Sequence, residues 1–334
     1  MEKKRILTGD RPTGRLHIGH LLGSLSNRVK LQDEYDSFIE IANIQALSDN
    51  FNNPSKVKDS IMELLCDYYA VGIDFDKANI FIQSEVPQIH EIFIYLANFA
   101  TVQQIQHNPT IKTEMAQNRY EASTPLGFFF YPIHQAADIF SVNADLVPVG
   151  KDQLPMIEDA RELGRRFNKT YGVDILGQPE ALLGTKINVP GIDGAEKMGK
   201  SLNNCIYLSD SQEELKKKVF KVYTDPTRIH ADDPGQVEGN VAFTYLDLFS
   251  KESQKDEVED MKRRYREGTI KDIEVKGKLF EVMDVVLKPI RDRRKEAEEM
   301  KDELVKKALN SSKVVSSIAR ETADKMKKAM KIEF

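Results

Sequence analysis

Asp10-Arg11-Pro12-Thr13-Gly14-Arg15-Leu16-His17-Ile18-Gly19-His20 joins two segments of different period. Before it, Lys4 to Thr8 reads as a short strand around Ile6 and Leu7. After it, Ile18, Leu21, Leu22, Leu25 and Val29 recur at spacings of three and four, which predicts a helix with one buried face. Pro12 and Gly14 make the connection a tight turn. The segment therefore reads strand, turn, helix, with His17 and His20 in the first helical turn. Backbone N–H groups at that end of a helix lack partners and the helix dipole is positive there, so the place suits phosphate oxygens. Taken alone, two histidines three residues apart can also be a metal pair or an ordinary capped terminus.

Working outward, the alternation continues. A strand is expected over Phe38 to Ala42 and a helix after Asn53-Pro54, with Val57, Ile61, Leu64, Leu65 and Tyr68 on one side and Gly72 as its stop. Asn79 to Ser84 reads as a third strand. From about 85 to 131 the alternation breaks into an apolar helix, Ile89 to Phe99, and a polar, loop-rich passage, His107 to Pro125, too long for a simple crossover. That passage is expected to be an insertion between two halves of a nucleotide-binding sheet. A strand at Asp145 to Val149, a helix to about Asn168, a loop around Pro190 to Ser201 and a charge-rich, helical remainder after about Glu213 complete the chain. Alternating strands and helices mean an α/β protein with a parallel sheet.

The 334 residues are enough for two packed units, and the net charge is −5. Its distribution is uneven: 23 Lys and Arg against 19 Asp and Glu from Lys251 onward, 25 against 34 before it. A basic tail on an acidic body is compatible with a nucleic-acid partner, and equally with solvated faces of long helices. The start of the chain lacks a signal-peptide core, and no run is apolar enough to span a bilayer, so a cytoplasmic protein with no membrane partner is expected. Cys66 and Cys205 lie far apart and outside any CxxC spacing, which predicts reduced thiols and no cysteine-bound metal.

Three further segments carry chemistry. Glu196-Lys197-Met198-Gly199-Lys200-Ser201 places two lysines and a hydroxyl in a loop, where they can close on a triphosphate and engage most strongly as charge develops on a departing pyrophosphate. In Tyr131 to Ile139, the spacing of Tyr131, Gln135, Asp138 and Val142 puts all four on one helical face. Asp138, flanked by Ala137 and Ile139, is either a buried structural acid or an acceptor for a ring N–H. Gly150-Lys151-Asp152-Gln153 follows the end of a strand, where open α/β sheets bind ligands; Asp152 is also a plain candidate for a helix N-cap.

His17-Ile18-Gly19-His20 and Lys197-Met198-Gly199-Lys200-Ser201 resemble the HIGH and KMSKS signatures of the class I aminoacyl-tRNA synthetases, the second departing only in Gly199 for serine. Tyr131 to Ile139 and Val147 to Gln153 are similar to the tryptophanyl-tRNA synthetases, as are Thr224 to Arg228 and Val241 to Tyr245. The resemblance covers essentially the whole chain. It implies a Rossmann-like catalytic domain over 1–190 with a helical insertion at about 85–131 that forms a homodimer interface. A KMSKS-type loop over 191–204 and an all-helical anticodon-binding domain over 205–334 would follow. It also implies activation of L-tryptophan by ATP with Mg²⁺, then transfer to tRNA.

The residues so implied are His17, His20, Lys197 and Lys200 for catalysis. For ATP they are Arg11, Pro12, Thr13, His17, Gly19, His20, Gly150, Lys151, Asp152, Ile187, Lys197, Met198, Gly199, Lys200 and Ser201. For tryptophan they are Tyr131, Gln135, Asp138 and Gln153, with Asp138 taking the indole N–H; no protein-held metal is expected. Lys112 is a further candidate for the α-phosphate, or a solvated insertion lysine. A tyrosine enzyme shares this architecture, but its phenol needs partners for a hydroxyl, and Val147 to Gln153 is unlike that family's segment.

Overall fold

The computed structural model describes residues 3–48, 50–117, 124–184, 187–230 and 232–333. Five parallel strands, β1 (Arg5–Asp10), β2 (Asp36–Ile41), β3 (Asn79–Ile82), β4 (Leu146–Val149) and β5 (Glu180–Leu183), form one sheet in the order β3-β2-β1-β4-β5. The order reverses between β1 and β4, and in open α/β sheets the crevice outside that switch point receives the ligand. β1 runs two residues past the expected Thr8 because Gly9 and Asp10 stay in register with Glu40 and Ile41 of β2. Gly9 is required there: a Cβ would lie 2.8 Å from the Glu40 carbonyl oxygen. β5 carries no strong strand pattern in the sequence and forms by pairing with β4.

The first helix is interrupted. α1 (Ile18–His20) leads into a π-helical turn, Leu21–Leu25, before α2 (Ser26–Glu34). α3 (Asn43–Leu47) follows β2 directly, α4 (Pro54–Val71) starts on Pro54 as expected, and α5 (Gln88–Ala97) follows β3. α6 (Val102–His107) precedes the passage expected to be loop-rich, His107 to Pro125, and α7 (Pro109–Gln117) makes the first part of that passage helical. Thr101 caps α6 by accepting from the Gln104 N–H, Pro109 opens α7, and Ile105 and Ile111 are the buried anchors. Two anchors among polar neighbours are too sparse for the 3.6-residue period to stand out. Residues 118–123 of that passage lie outside the described residues. α8 (Leu126–Ser141) and α9 (Leu154–Tyr171) flank β4.

The C-terminal part contains α10 (Gln212–Phe220), α11 (Val241–Phe249), α12 (Lys255–Arg266), α13 (Asp272–Glu299) and α14 (Lys301–Met330). It is not helical throughout: the stretch between α10 and α11 is irregular where described, with Asp225 accepting from the Thr227 and Gln236 N–H groups around Pro226 and Gly235. Nor does this part pack only on itself. α13 lies on α4, and one apolar core runs from Leu16 and Ile18 through Leu64 and Ile82 to Val275, Leu304 and Ala308. α14 then returns along edge strand β3, where the Ser312 hydroxyl accepts from the Ile82 N–H at 3.0 Å and covers the strand's free edge. Its last turns, Val315 to Met326, join a second core with α5, α8 and α9. Among the described residues no helix is long and apolar enough to cross a membrane.

Candidate functional site

The turn after β1 brings His17 to the N-cap of α1. Its Nδ1 accepts from the Gly19 N–H at 3.1 Å, and the His17 N–H donates to His20 Nδ1 at 3.2 Å. A backbone N–H can only donate, so both Nδ1 atoms are acceptors and both neutral rings carry their proton on Nε2. Each histidine thus keeps its Nε2–H outside these two bonds. The rings lie 3.9 Å apart, and the space beside Gly19 belongs to the His17 ring, since a Cβ would meet it at 2.9 Å.

Burial, then the neighbouring His20 and Lys200 charges, lowers His17 to about 3. Burial also lowers His20 to about 4, against the pull of Asp10. Both are neutral at pH 7 and can donate without adding charge.

Because these folded values lie below the ordinary 6.5, the stability they contribute is present above pH 6.5 and lost as the pH falls toward 4. Two protons taken up on unfolding give a slope of up to about 2.7 kcal/mol per pH unit in that window. Urea unfolding between pH 6.5 and 5 checks this, and His20→Asn should lower the slope by about 1.4 kcal/mol per pH unit, one proton's worth.

The second motif reaches this turn through the backbone. Ile18 N–H donates to Ile206 O and Leu208 N–H to Leu16 O, both at 3.0 Å, so the chain after Ser201 runs antiparallel beside the chain before α1. Buried Asn204 organises the loop: its Oδ1 accepts from the Gly199 N–H at 2.8 Å, and its Nδ2 donates to Asp193 Oδ1 and Lys197 O. Lys200 Nζ consequently donates to the Gly14 carbonyl at 2.8 Å, where Gly14 holds φ +118°, a conformation that favours glycine. Burial lowers the Lys200 ammonium from its ordinary range. Met198 is half-buried against the core, and Lys197 and Ser201 are exposed.

Beside this cluster, at the C-terminal ends of β1 and β4, lies a cleft of two joined chambers. The larger, about 730 Å³, is lined by Gly150 to Gln153, Ile187, Lys197, Glu114 and Thr110. The smaller, about 440 Å³, is lined by Arg11, Glu40, Gln45, Tyr131, Gln135, Asp138 and Gln153. Thr8, Ser24, Arg28, Pro148, Val149 and Gly150 border both. The expected residues therefore divide into four groups, with Gly150 and Gln153 shared by the two chambers. Lys151, Asp152, Ile187 and Lys197 face the first chamber and Arg11, Tyr131, Gln135 and Asp138 the second. Lys200, bonded to Gly14, and the two histidines its charge acts on, His17 and His20, lie outside both. Pro12, Thr13, Gly19, Met198, Gly199 and Ser201 line neither chamber, nor does exposed Lys112.

Several groups escaped the sequence reading. Arg28 Nη1 donates to Asp10 Oδ2 at 2.5 Å, and Tyr68 OH donates to the same oxygen at 2.7 Å. Although burial opposes it, the Arg28 charge holds Asp10 below the usual carboxylate range. Asp138 is gripped from two sides: Gln45 Nε2 donates to Oδ2 at 2.7 Å and Gln83 Nε2 to Oδ1 at 3.0 Å. Gln83 also meets His134 Nδ1, and His134 meets His90. Glu40 lies against this network, 5% exposed. A carboxylate within Phe38-Ile39-Glu40-Ile41 was the available signal, because buried parallel strands are otherwise near-continuous apolar runs.

The family model for class I tRNA synthetases (W and Y) matches residues 1–288. The chain is 47% identical to the tryptophan–tRNA ligase of Clostridium longisporum, over all of this chain and 98% of that one. It is 45% identical to that of Streptococcus pneumoniae serotype 4, over all of this chain and 99% of the relative. Its fold matches the solved tryptophanyl-tRNA synthetase of Campylobacter jejuni complexed with ADP and tryptophan, with a TM-score of 0.85 at 30% identity over 98% of this chain and 99% of that one. A tyrosyl-tRNA synthetase from Archaeoglobus fulgidus shares the fold at 21% identity and a TM-score of 0.65. With whole-length relatives and both signature motifs packed at one turn, the chain belongs to the class I aminoacyl-tRNA synthetases, in the tryptophanyl-tRNA synthetase family.

Proposed function

We propose that this protein activates L-tryptophan with ATP, forming tryptophanyl-adenylate and pyrophosphate, and transfers the tryptophan to the 3′ end of its tRNA. The observation that carries this reading is the paired cleft: one chamber edged by a loop lysine and a helix start, the other ending in a buried acid network. The substrate carboxylate attacks the α-phosphorus, pyrophosphate leaves, and no side chain becomes acylated. The protein positions the reactants and stabilises charge.

ATP is assigned to Arg11, Pro12, Thr13, the His17 to His20 turn, Gly150 to Asp152, Ile187 and the Lys197 to Ser201 loop, and tryptophan to Tyr131, Gln135, Asp138 and Gln153. Glu114 and Asp152 supply hard oxygen donors of the kind Mg²⁺ takes one or two of. When bound, that ion offsets triphosphate charge.

The tRNA is assigned to the C-terminal part, 205–334, whose basic excess lies from Lys251 onward. A homodimer is proposed through the insertion, whose Phe93 and Phe130 face Leu47 and Phe51 across an apolar groove of about 560 Å³. Two buried free thiols, Cys66 and Cys205, support a reducing, cytoplasmic setting. Pyrophosphate exchange into ATP, measured with each aromatic amino acid, tests the reading. Tryptophan alone should support it, and exchange with tyrosine but not tryptophan would move the protein to the tyrosine branch.

A further inference from the structure

Behind the smaller chamber, one side chain ties together two of the segments that line it. Gln83 follows β3 directly and is 0% exposed. Its Oε1 accepts from the Ile44 and Gln45 N–H groups at 3.1 and 3.2 Å. These are open donors in the first turn of α3, and Ala42 at that N-cap has no side-chain oxygen to offer, so Gln83 caps the helix from another segment. Two N–H groups facing one end of the amide fix its orientation: that end is the oxygen, and the other is Nε2, which can only donate. Nε2 donates to Asp138 Oδ1 at 3.0 Å and to His134 Nδ1 at 3.1 Å. A neutral His134 then carries its proton on Nε2, where it meets His90 Nδ1 at 3.0 Å. All four hydrogen-bonding positions of the Gln83 amide are used.

Gln45 closes a ring. Held at its N–H by Gln83, it donates from Nε2 to Asp138 Oδ2 at 2.7 Å, and Asp138 Oδ1 returns the connection to Gln83. Gln45 and Asp138 line the smaller chamber, whereas Gln83 lines neither chamber. We propose that Gln83 is a positioning residue for tryptophan: without touching the substrate, it orients the Asp138 carboxylate and the Gln45 amide so that a remaining Asp138 lone pair meets the indole N–H. Two charge-assisted donors offset the desolvation of a buried carboxylate and fix its plane. This role rests on the tryptophan reading above and goes beyond it in naming what sets the geometry of Asp138.

Pyrophosphate exchange with tryptophan and with its benzothiophene analogue, in which sulfur replaces the N–H, tests the role. In the unsubstituted protein, kcat/KM should favour tryptophan by at least about 30-fold. Gln83→Met keeps the length of the side chain and removes all four bonds. The preference should then fall to about threefold, through a tryptophan KM raised about tenfold with the ATP KM unchanged. A packing role alone would lower the melting temperature and leave the preference intact, and that result would overturn the proposal. A tryptophan-bound crystal structure of the unsubstituted protein gives a check that does not depend on a variant folding. Gln83 Nε2 should stay within about 3.2 Å of Asp138 while the ring nitrogen binds Asp138. A Gln83 amide turned more than about 4 Å away from Asp138 would also overturn the proposal. An unsubstituted protein with no tryptophan-dependent exchange, or with no preference for tryptophan over the analogue, would remove the tryptophan reading itself and the proposal with it.

Discussion

Replacing Lys200 with alanine lowers kcat for tryptophan-dependent pyrophosphate exchange by about 10²- to 10³-fold, with the tryptophan KM little changed; that is the size expected when one preorganised cationic donor is lost. Lys200 is held by its bond to the Gly14 carbonyl, near enough to His17 and His20 for its charge to act on both. Its environment is partly desolvated, which strengthens its attraction for charge accumulating on the leaving pyrophosphate. The ground-state triphosphate gains less from it, so the loss falls on kcat. Single-turnover formation of the adenylate checks this, and a fall smaller than about fivefold would sink the role given to the loop. Asn204→Ala, which unties the Gly199 N–H and the Lys197 carbonyl while leaving both lysine side chains in place, should reproduce part of the defect.

Arg294→Met destabilises the protein by about 3–5 kcal/mol, the cost of breaking a buried pair by removing one partner. Arg294 on α13 bonds to Asp67 Oδ1 on α4 and to Glu63 Oε2 at 2.6 Å. Asp67 is 0% exposed, and its other oxygen accepts from the Leu16 N–H at 2.9 Å. Without Arg294 the Asp67 charge stands in an apolar interior beneath the turn that carries His17.

Burial already raises Asp67 from 3.8 to about 6, against the Arg294 charge. A folded value above the unfolded one means that its contribution is present below about pH 3.8 and lost as the pH rises through about 6. Urea unfolding at pH 7 should therefore give the full penalty for Arg294→Met and a smaller one at pH 5, where Asp67 takes up a proton. Adding Asp67→Leu should recover much of the loss, since a well-packed apolar pair often equals a buried ion pair. A penalty under about 1 kcal/mol at pH 7 would contradict the account.

The local parts of the molecule were legible because each is decided within a few residues. The strand, the Pro12 and Gly14 turn and the histidines at a helix start follow from backbone rules, and the lysines of Lys197 to Ser201 announce their chemistry by type. Helices α6 and α7 were not legible, as Ile105 and Ile111 are buried only by the elements that fold over them. The irregular stretch between α10 and α11 was missed although its prolines and glycines marked it.

What the sequence determined by itself was therefore the kind of chemistry and the strand-turn-helix that presents it. Tertiary structure alone decided that residues 206–208 pair beside 16–18 and bring Lys200 to Gly14. It also decided that the β1 and β4 ends open one cleft and that Gln45 and Gln83 converge on Asp138 at its edge. These are contacts between segments tens to hundreds of residues apart. Their existence depends on strand register and on burial shared by the whole core, neither of which any window of the chain contains.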